Sequence, residues 1–260
     1  MKQAKTLVVG IGEVGAALAD VLEQTQPVLR LDLEPQDFHQ RIGVMHLCIP
    51  YQSTTQFQEA ATSYIQRFEP ALTIVNSTVV PGTVRAIAER TNIRVAYSPV
   101  RGKHRRMAAD LLKYTKCVAA PEPEVAQRAE EHFRAAGMTT RQYSTVETLE
   151  LAKLAETTYF GVLIAFAQEL NRLAVKVDGD YTEVTEFFRE VEFLPRTQYF
   201  PGWIGGHCVI PNIKLLNEVA PSVLFQAVLD SNDQRAAELA EAASSQDCPS
   251  LEPEAVRSNR

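Results

Sequence analysis

The fold of this 260-residue chain is decided by an early strand and the turn after it, Thr6-Leu7-Val8-Val9-Gly10-Ile11-Gly12-Glu13-Val14-Gly15. A short β-branched run leads into three glycines, and a helix-like stretch follows from Ala16 to Glu23. In such a turn the first glycine permits a tight bend, the second lets a pyrophosphate approach the backbone, and the third lets the helix pack against the strand. The pattern predicts that a dinucleotide binds the turn residues Gly10, Ile11, Gly12, Glu13, Val14 and Gly15.

An acidic residue follows at the distance expected for this kind of site. The next predicted strand, Val28 to Leu31, ends at Asp32, about 20 residues beyond the turn. A carboxylate there accepts hydrogen bonds from the adenine-ribose hydroxyls of NAD and repels the 2′-phosphate of NADP. A lone glycine pattern also occurs in ordinary turns, but the strand, the helix and Asp32 in register favour NAD as the cofactor.

Strands and helices continue to alternate through the first half of the chain. Further strands are predicted at Val44–Ile49, Leu72–Val75, Ile93–Tyr97 and Lys116–Ala119, with a final edge strand at Thr139–Tyr143. Helices are predicted at Thr54–Arg67, Thr83–Thr91 and Pro121–Ala136. This alternation predicts an α/β, Rossmann-like, doubly wound parallel sheet over residues 1–144.

The second half is predicted to be helical. Ser144 and Glu147 have the spacing of a capping box, and one long helix is expected from there to about Val177. Its stretch Tyr159–Ala167 is apolar on nearly every face, as expected for a helix buried between domains or subunits. Shorter helices are predicted at Thr182–Glu190 and from Asn212 to about Ala243, which gives an all-α domain over residues 145–243. The polar residues 244–260 are expected to be disordered.

Composition limits the classes of function. The chain has 45% hydrophobic residues and a formal net charge of −6, which is typical of a globular protein and argues against nucleic acid as a partner. No apolar run reaches transmembrane length, and we see no export signal. The four cysteines show no paired metal-ligand spacing, so no metal is expected and a reducing, cytoplasmic location is the simplest interpretation. Cys48 and Cys117 lie in apolar runs, whereas Cys248 has no evident role.

A glycine-rich segment in the second half carries a single thiol, Ile204-Gly205-Gly206-His207-Cys208-Val209-Ile210-Pro211. A cysteine thiolate can add to an aldehyde to give a thiohemiacetal, which becomes a thioester after loss of hydride to a nicotinamide. A helix start after Cys208, with Pro211 or Asn212 as first-turn or cap residue, would stabilise the thiolate. The alternative is a buried structural thiol in a glycine turn.

Four ordered motifs resemble the UDP-glucose/GDP-mannose dehydrogenase family: the turn at Gly10–Gly15, Ser77-Thr78-Val79-Val80-Pro81-Gly82-Thr83, Glu150-Leu151-Ala152-Lys153-Leu154-Ala155-Glu156, and Gly205-Gly206-His207-Cys208. The resemblance covers about residues 5–240, and the family's C-terminal nucleotide-binding domain has no counterpart. It implies oxidation of a sugar 6-hydroxyl to a carboxylate in two NAD-dependent steps, and a homodimer formed through the long helix.

The resemblance also implies residue roles. Cys208 would be the nucleophile, and Lys153 would stabilise oxyanions or position water. Thr78 would belong to the catalytic and cofactor loop, with Pro50 and Ser77 also at the cofactor. Lys153 could instead be a solvated helix lysine that extends past Leu149 and Leu154.

The sequence departs from the family at three places. Thr157 stands where the family has asparagine, and Asn212 stands where it has aspartate; both could hold a catalytic water, but neither replaces the family's group fully. The family's acidic loop reads here as Ser98-Pro99-Val100-Arg101-Gly102-Lys103-His104-Arg105-Arg106. Arg101, Lys103 and His104 could bind a substrate carboxylate or phosphate, together with Gly206 and His207, or simply form a solvated loop.

Three functions therefore stay open. The first is an NAD-dependent, four-electron dehydrogenase that oxidises a primary alcohol or aldehyde of a sugar or small anionic substrate through a Cys208 thioester. The second is a two-electron, hydroxyacid-type dehydrogenase with Lys153 as acid and base. The third is a catalytically weakened NAD-binding dimeric protein, suggested by Thr157, Asn212 and the missing domain.

Overall fold

A computed structural model describes residues 4–34, 36, 38–102, 104–188, 191–192, 194, 197 and 199–244. The chain divides into two compact units, Met1–Lys153 and Leu154–Arg260, and the boundary falls inside the long helix. The predicted domain limits at residues 144 and 243 stay predictions. The predicted disordered tail lies outside the described residues, apart from Ser244.

The first unit is built on a parallel sheet. Its strands are β1 (Lys5–Val9), β2 (Val28–Leu31), β3 (Ile42–Leu47), β4 (Leu72–Val75) and β5 (Val95–Tyr97), in the order β2-β1-β3-β4-β5. The chain leaves β1 toward β2 on one side and returns to β3 on the other, so the topological switch point lies between β1 and β3. All four residues of β4 are buried, as expected for a strand covered on both faces.

Helices cover both faces of this sheet. They are α1 (Glu13–Glu23), α2 (Thr54–Phe68), α3 (Thr83–Thr91), α4 (Met107–Lys113) and α5 (Pro123–Ala135). One core cluster joins alternate strand residues to α2 and α3, and a second joins the remaining strand residues to α1, α4 and α5. Leu7 and Val9 belong to the first cluster and Val8 to the second, because successive strand side chains point to opposite faces. The predicted doubly wound α/β fold is confirmed.

Two details of the first unit differ from the sequence prediction. Strands β6 (Lys116–Val118) and β7 (Thr140–Gln142) form a separate parallel pair, joined to β5 by an isolated antiparallel bridge between Tyr97 and Ala119. The prediction that they continue one parallel sheet is therefore wrong. Helix α4 and the 3₁₀ turn before it were not predicted, because seven residues are too few to show a helical period after a run of charged residues.

The second unit is helical. Helix α6 (Val146–Lys176) enters it and is followed by α7 (Tyr181–Glu186), α8 (Val209–Val219) and α9 (Val223–Ser244). The single helix predicted from Asn212 to Ala243 is wrong, because the chain breaks between α8 and α9 at Pro221. Proline removes a backbone donor and disfavours helical dihedrals in the residue before it, here Ala220, whose ψ is 100°.

The break between α8 and α9 is capped, and the helices share a small core. The Asn217 side chain accepts a hydrogen bond from the Ser222 amide at 2.8 Å. The core is centred on Ala165, Ile213 and Val228. None of the helices in the described part of the chain is long and apolar enough to cross a membrane.

Candidate active site

The glycine turn after β1 has the geometry that its sequence predicts. Gly10 has φ of +85°, and a Cβ there would lie 2.5 Å from the Cys48 carbonyl oxygen. A Cβ on Gly15 would lie 1.8 Å from the Gly10 carbonyl oxygen, so this position needs glycine for helix α1 to begin where it does. A Cβ on Gly12 would meet no atom within 4 Å. The turn is therefore closed on the protein side and open at Gly12, where a phosphate would approach.

Asp32 lies beside this turn. It follows β2 directly and is exposed, and its Oδ1 accepts a hydrogen bond from the Ile11 amide at 3.3 Å. Glu13 is the exposed first residue of α1, and Val14 behind it is half-buried. The structure thus brings Asp32 to the turn and leaves its carboxylate accessible to a ribose.

The loops after β3 and β4 are tied together at the carboxyl edge of the sheet. The Ser77 hydroxyl donates to the carbonyl of Ile49 at 2.6 Å, next to the exposed Pro50. Thr78 follows and is half-buried. Ligands of open α/β sheets bind at this edge, so Pro50, Ser77 and Thr78 lie where a cofactor site of this fold is expected.

Glu150 supports the Thr78 loop and was not singled out from the sequence. Its fully buried carboxylate accepts hydrogen bonds from the amides of Gly82 at 2.7 Å and Val84 at 3.0 Å, at the start of α3. Burial raises its pKa to about 7, although both backbone bonds act in the other direction. A carboxylate flanked by Leu149 and Leu151 was the available signal, since such a charge needs a partner.

Lys153, one turn further along α6, is half-buried. Burial lowers the pKa of a nearby lysine, Lys116, to about 7, and the positive charge of Lys153 acts in the same direction. The Lys116 ammonium donates to the carbonyls of Ser98 at 2.8 Å and Pro99 at 2.9 Å, which start the charged loop. Lys116 therefore fixes the root of that loop, a role that the sequence did not reveal.

A chain of hydrogen bonds continues from Ser98 into the core. The Asn76 amide donates to the Ser98 carbonyl at 2.7 Å, so its oxygen faces His46 and accepts from His46 Nδ1 at 2.9 Å. Burial lowers the pKa of both histidines, to about 4 for His132, which favours the neutral form of each ring. With both rings neutral, His46 Nε2 accepts the proton of His132 Nε2 at 2.9 Å.

In the charged loop, residues 98–106, Arg101 contacts residues at the start of β6. Arg101 Nη2 donates to the Thr115 carbonyl at 2.5 Å and approaches the Cys117 sulfur at 3.5 Å. His104 begins the 3₁₀ turn before α4, and Lys103 lies outside the described residues. Substrate binding by these three residues stays a prediction.

The thiol of Cys208 lies on an exposed turn at the start of a helix. Cys208 is the N-cap residue of α8 and is exposed, as are Gly205, Gly206 and His207 before it. The indole ring of Trp203 covers Gly205, where a Cβ would lie 2.6 Å from ring atom Cζ3. Neither Pro211 nor Asn212 caps the helix, because α8 already begins at Val209. Pro211 lies in the first turn, which was the other role predicted for it. An exposed thiol is the arrangement a nucleophile needs, whereas Cys117 is buried and burial raises the pKa of Cys48 to about 12.

The two residues that depart from the family pattern contact each other. Asn212 is buried, and its Nδ2 donates to the Thr157 hydroxyl at 3.0 Å. That hydroxyl in turn donates to the Leu154 carbonyl at 3.1 Å. Gly161, one turn further along α6, leaves room for α8, since a Cβ there would lie 2.5 Å from Ile213 Cδ1. The pair therefore helps to hold the first turns of α8 on α6.

Among the described residues, no group of three acidic, cysteine or histidine side chains is placed to hold a metal ion.

Residues 147–234 match the family model described as the UDP-glucose/GDP-mannose dehydrogenase family, central domain. The chain is related to this family. UDP-N-acetyl-D-mannosamine dehydrogenase of Methanocaldococcus jannaschii is 28% identical over 143 residues, which are 53% of this chain and 33% of that protein. The chain thus matches about a third of the length of that relative.

Solved structures show the same fold. UDP-D-ManNAc dehydrogenase from Pyrococcus horikoshii superposes with a TM-score of 0.79 at 20% identity, covering 93% of this chain and 71% of that one. 3-Hydroxyisobutyrate dehydrogenase from Mycobacterium tuberculosis superposes with a TM-score of 0.70 at 15% identity, covering 92% of this chain and 94% of that one. The family resemblance seen in the sequence is confirmed, and the fold is shared with a second class of dehydrogenase.

Proposed function

We propose that this protein is an NAD-dependent dehydrogenase that oxidises a primary alcohol or aldehyde to an acid through a covalent intermediate on Cys208. The observation that carries the proposal is an exposed thiol at the start of α8, in a chain whose first unit has an open glycine turn with an acidic residue beside it. The relationship to nucleotide-sugar dehydrogenases supports it.

The first unit fits NAD. Gly12 leaves space for a pyrophosphate, and the exposed carboxylate of Asp32 would accept hydrogen bonds from the adenine ribose. Ser77 and Thr78 lie at the carboxyl edge on which the nicotinamide half would rest. Bound there, NAD would supply the hydride acceptor for the oxidation.

The groups of the chain would carry the covalent chemistry. The Cys208 thiolate adds to the aldehyde carbon and forms a C–S bond, while the carbonyl oxygen takes a proton. After oxidation of this thiohemiacetal, water attacks the resulting thioester, breaks the C–S bond and returns the thiol and the acid. Lys153 would stabilise the oxyanion of each addition, and Thr157 and Asn212 would lie beside the thiol as hydrogen-bonding groups. The alcohol would first be oxidised to the aldehyde with one NAD, and oxidation of the thiohemiacetal would use a second, so that one alcohol consumes two NAD and one water.

The substrate is proposed to be a sugar or a small anionic alcohol. Among the curated relatives, the M. jannaschii protein is named for a UDP-linked amino sugar. Arg101, Lys103 and His104, with Gly206 and His207, would bind the carboxylate or phosphate of such a molecule.

The test is NAD reduction with a panel of alcohols, aldehydes and nucleotide sugars. Two NADH per alcohol, loss of acid formation in Cys208→Ser, and a substrate adduct on Cys208 in the intact-protein mass spectrum are the expected results. Cys248→Ser is the control and should behave as wild type. Acid formation by Cys208→Ser at the wild-type rate would refute the covalent route.

A two-electron dehydrogenase is the second candidate, and two observations favour it. Asn212 bonds to Thr157 and is no carboxylate, so it cannot remove a proton from water. The similarity to 3-hydroxyisobutyrate dehydrogenase extends over 94% of that protein. This candidate predicts one NADH per turnover, activity in Cys208→Ser and loss of activity in Lys153→Met. NAD binding without turnover of any substrate would instead indicate a non-catalytic protein.

We also propose that the protein is a homodimer formed through α6. Tyr159, Phe166 and Leu173 recur every seven residues on this helix and are 57%, 60% and 58% exposed. A stripe of this kind suits a second copy of the helix. Sedimentation should show a dimer that Phe166→Glu converts to monomers, and a monomeric wild type would contradict this. A cytoplasmic location stays a prediction.

A further inference from the structure

Side chains of two helices hold the segment that leads to Cys208. Gln168 of α6 donates from Nε2 to the carbonyl of Gly202 at 2.7 Å. Asn232 of α9 accepts from the amide of Ile204 at 2.7 Å and donates from Nδ2 to the carbonyl of the same residue at 3.2 Å. One side-chain amide therefore satisfies both backbone groups of Ile204, as a neighbouring strand would.

We call the side chains of Gln168 and Asn232, with the backbone of Gly202 and Ile204 that they hold, the Ile204 clamp. Its hydrogen bonds fix the orientation of both side-chain amides. Gln168 and Asn232 are 0% and 3% exposed, so their polar atoms need partners inside the protein. Gln168 Nε2 also contacts Asn232 Oδ1 at 3.3 Å, and Gln168 Oε1 accepts from the Ser231 hydroxyl at 3.0 Å. Rotating the Asn232 amide by half a turn would set donor against donor at Ile204. The network permits one arrangement, which is the condition for a well-placed loop.

The clamp ends where the exposed turn begins. Ile204 is 5% exposed, and the four residues after it, up to Cys208, are exposed. At the other end of the turn, the Cys208 carbonyl accepts from the Asn212 amide at 3.2 Å, inside α8. The thiol thus lies on a short turn between two anchors, the Ile204 clamp and the first turn of α8.

We propose that Asn232, together with Gln168, is a positioning residue for Cys208. Asn232 acts through the backbone of Ile204 and fixes the direction from which the thiol meets its substrate. The role of Cys208 in this inference rests on the proposed function. The clamp itself does not, and the two are tested separately.

Hydrogen exchange tests the clamp without any substrate. In the wild type, the Ile204 amide should exchange at least about 100-fold more slowly than that of His207, because it is bonded to a buried acceptor. Asn232→Leu removes both bonds and should reduce this protection at least about tenfold. Gln234→Leu, an exposed change on the same helix, should leave it unchanged. Fast exchange at Ile204 in the wild type would overturn the proposal even if Asn232→Leu does not fold.

Chemistry at the thiol tests the positioning. Release of the turn in Asn232→Leu should raise the rate of Cys208 alkylation by iodoacetamide at least about threefold, read by peptide mass spectrometry, and Gln234→Leu should not change it. Turnover should fall at least about tenfold, with the KM for NAD within about twofold of wild type. Since Gln168 and Asn232 hold the same segment, the double variant with Gln168→Leu should lose no more turnover than the worse single variant.

The outcomes separate the two proposals. A folded Asn232→Leu with unchanged alkylation and exchange would refute the positioning role. An inactive wild type with a protected Ile204 and a clamp-dependent alkylation rate would instead refute the proposed oxidation and leave the clamp in place. Full turnover in an Asn232→Leu variant that has lost Ile204 protection would show that the clamp does not serve catalysis.

Discussion

Acid should weaken the first unit through the histidine pair of β3 and α5. In the neutral pair, His132 donates from Nε2 to His46 Nε2 at 2.9 Å, and His46 donates its own proton from Nδ1 to Asn76. A proton added to His46 Nε2 would set donor against donor in this pair, and a proton added to either ring would place a charge in a largely buried cluster. The informative change is His132→Gln, because its amide can still donate to His46 Nε2 while it no longer titrates.

The magnitude follows from the pKa of His132. Burial lowers this pKa from the usual histidine value of 6.5 to about 4. Between pH 6.5 and pH 4, His132 binds a proton in the unfolded chain but not in the folded chain. Its contribution to the free energy of unfolding is therefore complete above pH 6.5 and is lost as the pH falls toward 4. The loss for this one residue between pH 7 and pH 4.5 is about 2 kcal/mol. His46 adds a loss in the same direction, since burial also lowers its pKa.

Urea unfolding followed by circular dichroism between pH 7 and pH 4.5 measures this effect. The free energy of unfolding of wild type should fall more steeply than that of His132→Gln, so that their difference changes by about 2 kcal/mol over the range. Glu150, whose raised pKa acts in the opposite sense, is common to both proteins and cancels. Parallel curves for the two proteins would show that the histidine pair is not held neutral, and the reasoning would be wrong.

Other substitutions follow from the packing. Gly12→Ala should leave the melting temperature within about 2 °C and abolish NAD binding in calorimetry. Gly15→Ala should prevent folding, because its Cβ would lie 1.8 Å from the Gly10 carbonyl oxygen. Equal effects of the two substitutions on stability would contradict this geometry. Gly161→Ala forces Ile213 to move and should lower the free energy of unfolding by about 1–3 kcal/mol in urea unfolding. An unchanged free energy of unfolding would show that α8 shifts freely to make room. Lys116 has a lowered pKa of about 7, so wild-type stability should rise by about 2 kcal/mol from pH 7 to pH 9 as the unfolded chain alone keeps the proton. Lys116→Met should lack this rise, and an equal rise in both proteins would exclude Lys116 as its cause.

The features predicted well from the sequence are those that one short segment determines. The strand, the glycines and helix α1 form within 19 residues, Lys5 to Glu23, and the need for glycine at Gly15 comes mainly from the carbonyl of Gly10 in the same turn. Long helix α6 was also predicted, because it contains no proline and follows a capping pattern. The isolated Gly161 does not interrupt this helix.

The features missed are those set by contacts distant in sequence. Asn232 reaches Ile204 across 28 residues, and Glu150 reaches Val84 across 66. A polar residue on a helix does not reveal its partner, so these roles could not be assigned from the sequence. The separate pairing of β6 and β7 was missed for a related reason, since strand pattern does not specify which neighbour a strand joins.

Trp203 gives the protein its own optical probe of the turn that carries Cys208. It is the chain's one tryptophan, and its ring covers Gly205, three residues before the thiol. Movement of Gly205 away from the ring would change what the indole contacts, and we expect the wavelength and intensity of its emission to change with it. Occupation of the thiol or release of the turn could be followed in real time on the unlabelled protein, with no background from another tryptophan.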